Sequence, residues 1–276
     1  MIDYVYPSES SLAGNGRCPL TRFKPISAVL AAAGFVLGLS AQAVLALPEG
    51  GQVSAGSATI QRPNAATLQV NQSSNKAIVD WQSFDIDRGE TVRFRQPSAR
   101  SVILNRIDGS EPSRIYGQLD ANGKVFLVNP SGVYFAPGAK VNVGSLVASS
   151  LKLSNSDFLK GNYRFTDGGA AGKVDNEGRI RAKDGGYVAL IGKQVSNKGE
   201  IIAPRGSVAL GAGERVTIDL HGDGLLGLKV DAAAAKATIS NSGVIEAAGG
   251  AVTLSVHAKN ALVDTVLNVE GTVRAT

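Results

Sequence analysis

Cysteine is all but missing from this chain. The single one, Cys18, lies ahead of an apolar leader, and none follows it in the 276 residues. Histidine is nearly as scarce, with only His221 and His257. The pair stands isolated, which excludes a thiolate–imidazole zinc site and a Cys/His nucleophile pair. Blocks of like charge are also absent. The net charge of +5 is dispersed as Lys and Arg alternating with Asp and Glu, which describes a solvated mixed surface and not a nucleic-acid face. Nothing after residue 47 is apolar enough to span a bilayer. A chain without cysteine past its leader can remain unfolded in an oxidising compartment with nothing to cross-link. What is abundant is glycine, 33 residues, on a background 43% hydrophobic, too apolar for a disordered chain.

The leader is residues 1–46. Arg17, Arg22 and Lys24 precede "ISAVLAAAGFVLGLSAQAVLA", the positive region, short apolar region and small-residue exit of a secretory signal peptide. Cleavage is expected at Ala41-Gln42-Ala43 or Val44-Leu45-Ala46, the second favoured, leaving a mature chain that begins near Leu47. The stretch before Arg17 is longer than a signal needs, so a start further downstream is also consistent.

The mature chain repeats itself. Asn176-Glu177-Gly178-Arg179-Ile180-Arg181-Ala182, Asn197-Lys198-Gly199-Glu200-Ile201-Ile202-Ala203 and Asn241-Ser242-Gly243-Val244-Ile245-Glu246-Ala247 share the frame N-x-G-x-[IV]-x-A. Each is followed by a glycine and V-x-L, and Gly271-Thr272-Val273-Arg274-Ala275 is a weaker copy. Gly132-Val133-Tyr134-Phe135-Ala136 fits the same frame. The interval from Gly199 to Gly243 equals about two periods of the first spacing. Short alternating strands separated by turns every twenty-odd residues predict a parallel β-helix. Alternation places Ile180, Ile201 and Ile245, with Ala182, Ala203 and Ala247, on the inner face as the stacked core. Stacked asparagines would form a side-chain ladder, and Gly and Asn at the corners would supply positive φ. Residues 47–150 read as an N-terminal cap and first coils with hairpins packed outside, and residues 151–276 as further coils. The run 222–236 interrupts the repeats and could hold a turn of helix. The chain stops within a repeat, as a fragment of a longer chain would.

Chemistry-bearing motifs are few. Gly222-Asp223-Gly224-Leu225-Leu226-Gly227 has dinucleotide-loop spacing, but Leu228-Lys229-Val230 continues it as a strand and not as a helix. Asp85-Ile86-Asp87-Arg88-Gly89-Glu90 lacks calcium-loop spacing and reads as a turn between "WQSFDI" and "ETVRF". The rival reading, a β-helical polysaccharide-degrading enzyme, requires carboxylates stacked on neighbouring coils. The outward positions here change from Arg179 to Glu200, Val244 and Thr272, and no carboxylate pair repeats. No catalytic residue, metal or cofactor is expected.

Residues 78–151 carry a resemblance. Trp81 with Phe84, Gln96-Pro97, Leu104-Asn105-Arg106, Ile115 with Gly117-Gln118-Leu119, Ala121-Asn122-Gly123, Asn129-Pro130-Ser131-Gly132 and Val141-Asn142-Val143-Gly144 resemble, in order, the filamentous-haemagglutinin family. More narrowly, they resemble the N-terminal two-partner secretion domain of its exoproteins. Ser131 stands where that family usually has a second Asn. The resemblance implies an all-β, right-handed parallel β-helix with a cap and extra-helical hairpins. It implies passage through the Sec translocon and engagement of an outer-membrane β-barrel transporter through its POTRA domains. Folding at the surface of a Gram-negative bacterium then follows. Asn105, Arg106, Asn129, Pro130, Ser131 and Gly132 are the positions it marks for transporter recognition or early folding. An adhesin-like effector region that meets a host or bacterial cell surface would lie beyond this domain. An autotransporter passenger is the alternative.

Overall fold

A computed structural model describes residues 46–170, 172–220, 226–259 and 266–276. The leader up to residue 45, His221 and Gly222 to Leu225 of the glycine motif lie outside the described residues. One coil shows how the chain is built. Lys124–Val128 forms a strand on one face, and the Asn129-Pro130-Ser131-Gly132 turn redirects the chain into Val133–Phe135 on a second. Pro137-Gly138 then turns it into Lys140–Val143 on a third. Ser145–Ser149 returns beside Lys124–Val128 in parallel, with Leu146 opposite Val125. Each break between these apolar strands is a corner. Among the described residues these coils stack into faces of eight, six and nine strands, giving a parallel β-helix.

The core is what in-register stacking of alternating strands must produce. On the nine-stranded face Leu119, Val141, Ile180, Ile201 and Ile245 lie directly over one another, each fully buried. Ala182, Ala203 and Ala247 are likewise buried two residues on. Val273, opposite Ile245 on the last coil, is 39% exposed. On the six-stranded face one inner row runs Ile115, Phe135, Asn176, Asn197, Asn241. Two apolar residues therefore begin a row that buried asparagines continue. Asn176 Nδ2 donates to Asn197 Oδ1 at 2.7 Å, and Asn197 Nδ2 to Asn241 Oδ1 at 2.7 Å.

That register corrects the repeat frame. Val133 pairs with Val174, and Lys140 with Arg179. Ala139-Lys140-Val141-Asn142-Val143, and not Gly132 to Ala136, is the equivalent of Gly178 to Ala182. The spacing is corrected too. Asn176 to Asn197 is 21 residues and Asn197 to Asn241 is 44, yet Glu200–Ile202 pairs directly with Val244–Glu246. The long interval is one coil with an excursion, not two coils. The repeat glycines also differ from expectation. Positive φ occurs at Gly132, Gly138, Gly185 and Gly249, and the one described non-glycine with it is Arg205. Gly144, Gly186, Gly206 and Gly250 instead stack so closely that a Cβ on each would strike the carbonyl of the glycine one coil below. Close approach, not turn geometry, selects glycine there.

Two excursions leave the helix at the same corner. Lys152–Leu153, helix Asn155–Lys160 and Tyr163–Thr166 follow one strand of the eight-stranded face, and Arg215–Leu220 with Leu226–Ala232 follow another. They join as a four-stranded antiparallel sheet whose apolar side covers the outer surface of the eight-stranded face. The outer hairpins thus come from residues 152–232 and not from the first hundred residues of the mature chain. Within 226–236, Leu226–Ala232 is strand and not a turn of helix, because Val216 and Ile218 supply partners for Val230 and Leu228. Gln52–Ala55 and Ala58–Asn64 pair antiparallel with Lys76–Trp81 and Thr67–Gln72, closing the N-terminal edge of two faces as a solenoid cap must. The "WQSFDI" segment is a strand only to Trp81; Ser83 and Ile86 make single bridges, to Glu49 and Ile115.

Candidate functional site

Asn105 and Arg106 are consecutive on Val102–Ile107 and so face opposite ways. Asn105 points inward and is fully buried. Its Oδ1 accepts from Trp81 Nε1 at 3.0 Å, and its Nδ2 donates to the Phe126 carbonyl at 3.3 Å. Trp81 packs edge-on against Phe84, ring centroids 5.5 Å apart. The amide thus anchors the aromatic plug at the base of the helix. Arg106 points outward. Its guanidinium pairs with Asp80 at 2.6 Å and Asp108 at 3.6 Å, and donates to Asn155 Oδ1 at 2.5 Å. Asp80 lies directly opposite Arg106 in the strand register.

Asn129 follows Val128, the residue that pairs with Arg106, and it too is fully buried. Its Oδ1 accepts from the Ser131 N–H at 2.9 Å, an Asx turn, and its carbonyl accepts from Gly132 N–H at 2.9 Å. Its Nδ2 reaches the Glu111 carbonyl and Ser113 Oγ, both at 3.0 Å. Pro130 presets φ for the turn. Gly132 at φ 119° takes the position only glycine holds without strain. Ser131 enters through its backbone N–H, so the turn forms without the family's usual second Asn. The later loop packs hard on this corner: a Cβ on Gly172 would strike the Pro130 carbonyl. The structure therefore places Asn105 and Arg106 on one strand and the other four marked positions on the corner that follows the adjacent strand Lys124–Val128, with the amides of Asn105 and Asn129 consumed by the fold.

Beside the corner lies an open groove lined by Arg114, Ser131, Tyr134, Asp175, Glu177 and Lys198. Tyr134 Oη donates to Glu177 Oε2 at 2.8 Å, and Lys198 Nζ donates to Glu177 Oε1 at 2.9 Å. That hydrogen bond to the carboxylate pushes the Tyr134 phenol up to about 12, while Lys198, then Tyr134, pull Glu177 below the usual carboxylate range. Among the described residues no group of three or more His, Cys, Asp or Glu is placed to hold a metal ion. No helix among them is long and apolar enough to cross a membrane.

Sequence reasoning missed the partners that give the marked residues their work: Asp80, Glu111, Ser113 and Asn155. Only Asp80 left a local trace, as a lone carboxylate directly after the apolar Ala77-Ile78-Val79.

A capped parallel β-helix with this corner is the architecture of a domain exported by two-partner secretion. The chain belongs to the TPS secretion domain family, whose model matches residues 45–276. Such domains are parts of exoproteins that leave Gram-negative bacteria through the periplasm with a cognate outer-membrane transporter. Among individual relatives, a heme/hemopexin-binding protein of Haemophilus influenzae is 36% identical over 223 residues, 78% of this chain and 24% of that protein. A second protein of that description from the same species is 41% identical over 111 residues, 40% of this chain and 12% of the relative. The chain thus spans about a quarter or less of the length of these relatives. The solved HMW1 secretion domain from Haemophilus influenzae is 33% identical with a TM-score of 0.69, over 75% of this chain and 57% of that one.

Proposed function

We propose that residues 47–276 act as the export address of an adhesin-like exoprotein. The leader takes the chain through the Sec translocon. In the periplasm the domain, still extended, adds as a strand to the POTRA domains of its outer-membrane β-barrel transporter. It then passes outward and folds at the cell surface. Asn105, Arg106 and the Asn129-Pro130-Ser131-Gly132 corner carry the recognition.

The observation that supports this order most is the burial of Asn105 and Asn129, each fully enclosed with its amide hydrogen-bonded inside the protein. A partner that reads those amides reads them before the coils close. Heme or hemopexin binding is a property named for relatives of which this chain matches a quarter or less, and we assign the matched part export alone. Co-expression with the cognate transporter tests the reading. Secretion should depend on the transporter and drop sharply for Asn129→Ala. Equal secretion without the transporter would overturn it.

A further inference from the structure

The outer surface of the first coils is apolar where a solenoid normally meets water. Ile78, Leu104 and Phe126 lie in one in-register row, fully buried, on the side away from the core. Lys76 and Arg106 flank that row. In the folded domain this surface is held by residues 155–165. Phe158, Tyr163 and Phe165 all pack on Phe126, with ring centroids 5.8, 5.0 and 6.4 Å away. Lys76 Nζ donates to the Phe158 and Leu159 carbonyls at 3.2 and 2.8 Å, and Arg106 takes Asn155. The cover thus offers aromatic rings between two oxygen-bearing ends, matched to a row of apolar side chains between two cations.

These contacts span 82 residues from Lys76 to Phe158 and 49 from Arg106 to Asn155. Until residues 155–165 arrive, the apolar row and Lys76 stand open, and Arg106 has Asp80 and Asp108 but lacks Asn155. We infer that, once the first coils have closed at the cell surface, this row is a docking site for the outward side of the transporter, occupied until residues 155–165 arrive by a short amphipathic segment with an aromatic residue between acidic or amide groups. Residues 155–165 are its built-in competitor. Their docking displaces the transporter and makes release one-way. The inference rests on the export reading above and adds to it a second contact surface and a release step. Arg106 then belongs to both surfaces.

A photo-reactive residue in place of Asp108, exposed and 3.6 Å from Arg106, tests this in the full chain exported through its transporter. A second probe replaces Ser131. Adducts with the transporter are expected from both positions. Those from position 108 should persist several-fold longer in Asn155→Ala and Phe158→Ala. Leu159→Ala, which alters an exposed side chain of the same helix, should match the parent. If position 131 forms adducts and position 108 forms none, or if the two cover variants leave the adducts unchanged, the docking site is wrong and the export reading stands. Adducts from neither position would overturn both.

Discussion

Asn197 is the middle of the amide ladder, giving to Asn241 and taking from Asn176. Burial makes that chain obligatory, because an unpaired amide in the core costs its full desolvation. Asn197→Ala strands a group on each side and should lower stability by about 1–3 kcal/mol, read by denaturant unfolding of the secreted domain. Asn176→Ala breaks one ladder link and also strands the Gly178 N–H, which donates to Asn176 Oδ1 at 3.2 Å, and should cost a comparable amount. The Tyr134–Glu177 pair predicts a pH response. The folded phenol is raised from 10 to about 12, so its contribution is complete below pH 10 and is lost as pH climbs through that window. The depressed Glu177 carboxyl contributes above the ordinary carboxylate range and loses its contribution as pH falls through its lowered value. Glu177→Gln should bring the Tyr134 titration back toward 10, followed by NMR of that ring. The asparagines were readable in the sequence because they recur. The duties of Asn105 and Asn129 were not, because Trp81, Glu111 and Ser113 meet them only after the chain has coiled.

At the scale of elements, the eight-stranded face is apolar on both sides. Lys124–Val128, Ser145–Ser149, Tyr187–Gly192 and Ser207–Ala212 are buried almost residue for residue, the pattern of a sheet covered twice. A period of two marks one buried face. It is blind to a second layer supplied from elsewhere in the chain, so the solid apolar run at Val102 to Leu104 does not reveal its cover. The nine-stranded face, polar outside, gave its inner row correctly from alternation alone. Phe126→Ala removes the ring on which three aromatics converge and should cost about 3–5 kcal/mol. The secreted variant should still show β-sheet circular dichroism, with proteolysis beginning in residues 152–166. Loss of all sheet signal would show that the coils need the cover to form.

For the whole molecule, stability is nearest-neighbour: each coil is templated by the one before and protects its edge. At roughly 0.05–0.15 kcal/mol per residue, a coil of about twenty residues gains about 1–3 kcal/mol, several times thermal energy. Folding outside the cell can therefore bias a sliding chain outward without ATP. Proline at Ile180 and Ile201 blocks two successive inner strands and should stall the chain in the transporter, assayed as protease-accessible material on the cell surface.

The timing of folding is the centre of this account, and the chain is suited to testing it, since no cysteine follows Cys18. Arg179 and Glu200 lie opposite each other on successive coils with exposed side chains, a separation that suits a disulfide. The measurement is secretion of the Arg179→Cys/Glu200→Cys chain with its transporter, with and without reductant. If coils close only after passage, the chain oxidised in the periplasm stays there, and reductant or either single variant restores export. Secretion of the oxidised, already cross-linked chain at the parent level would contradict the account.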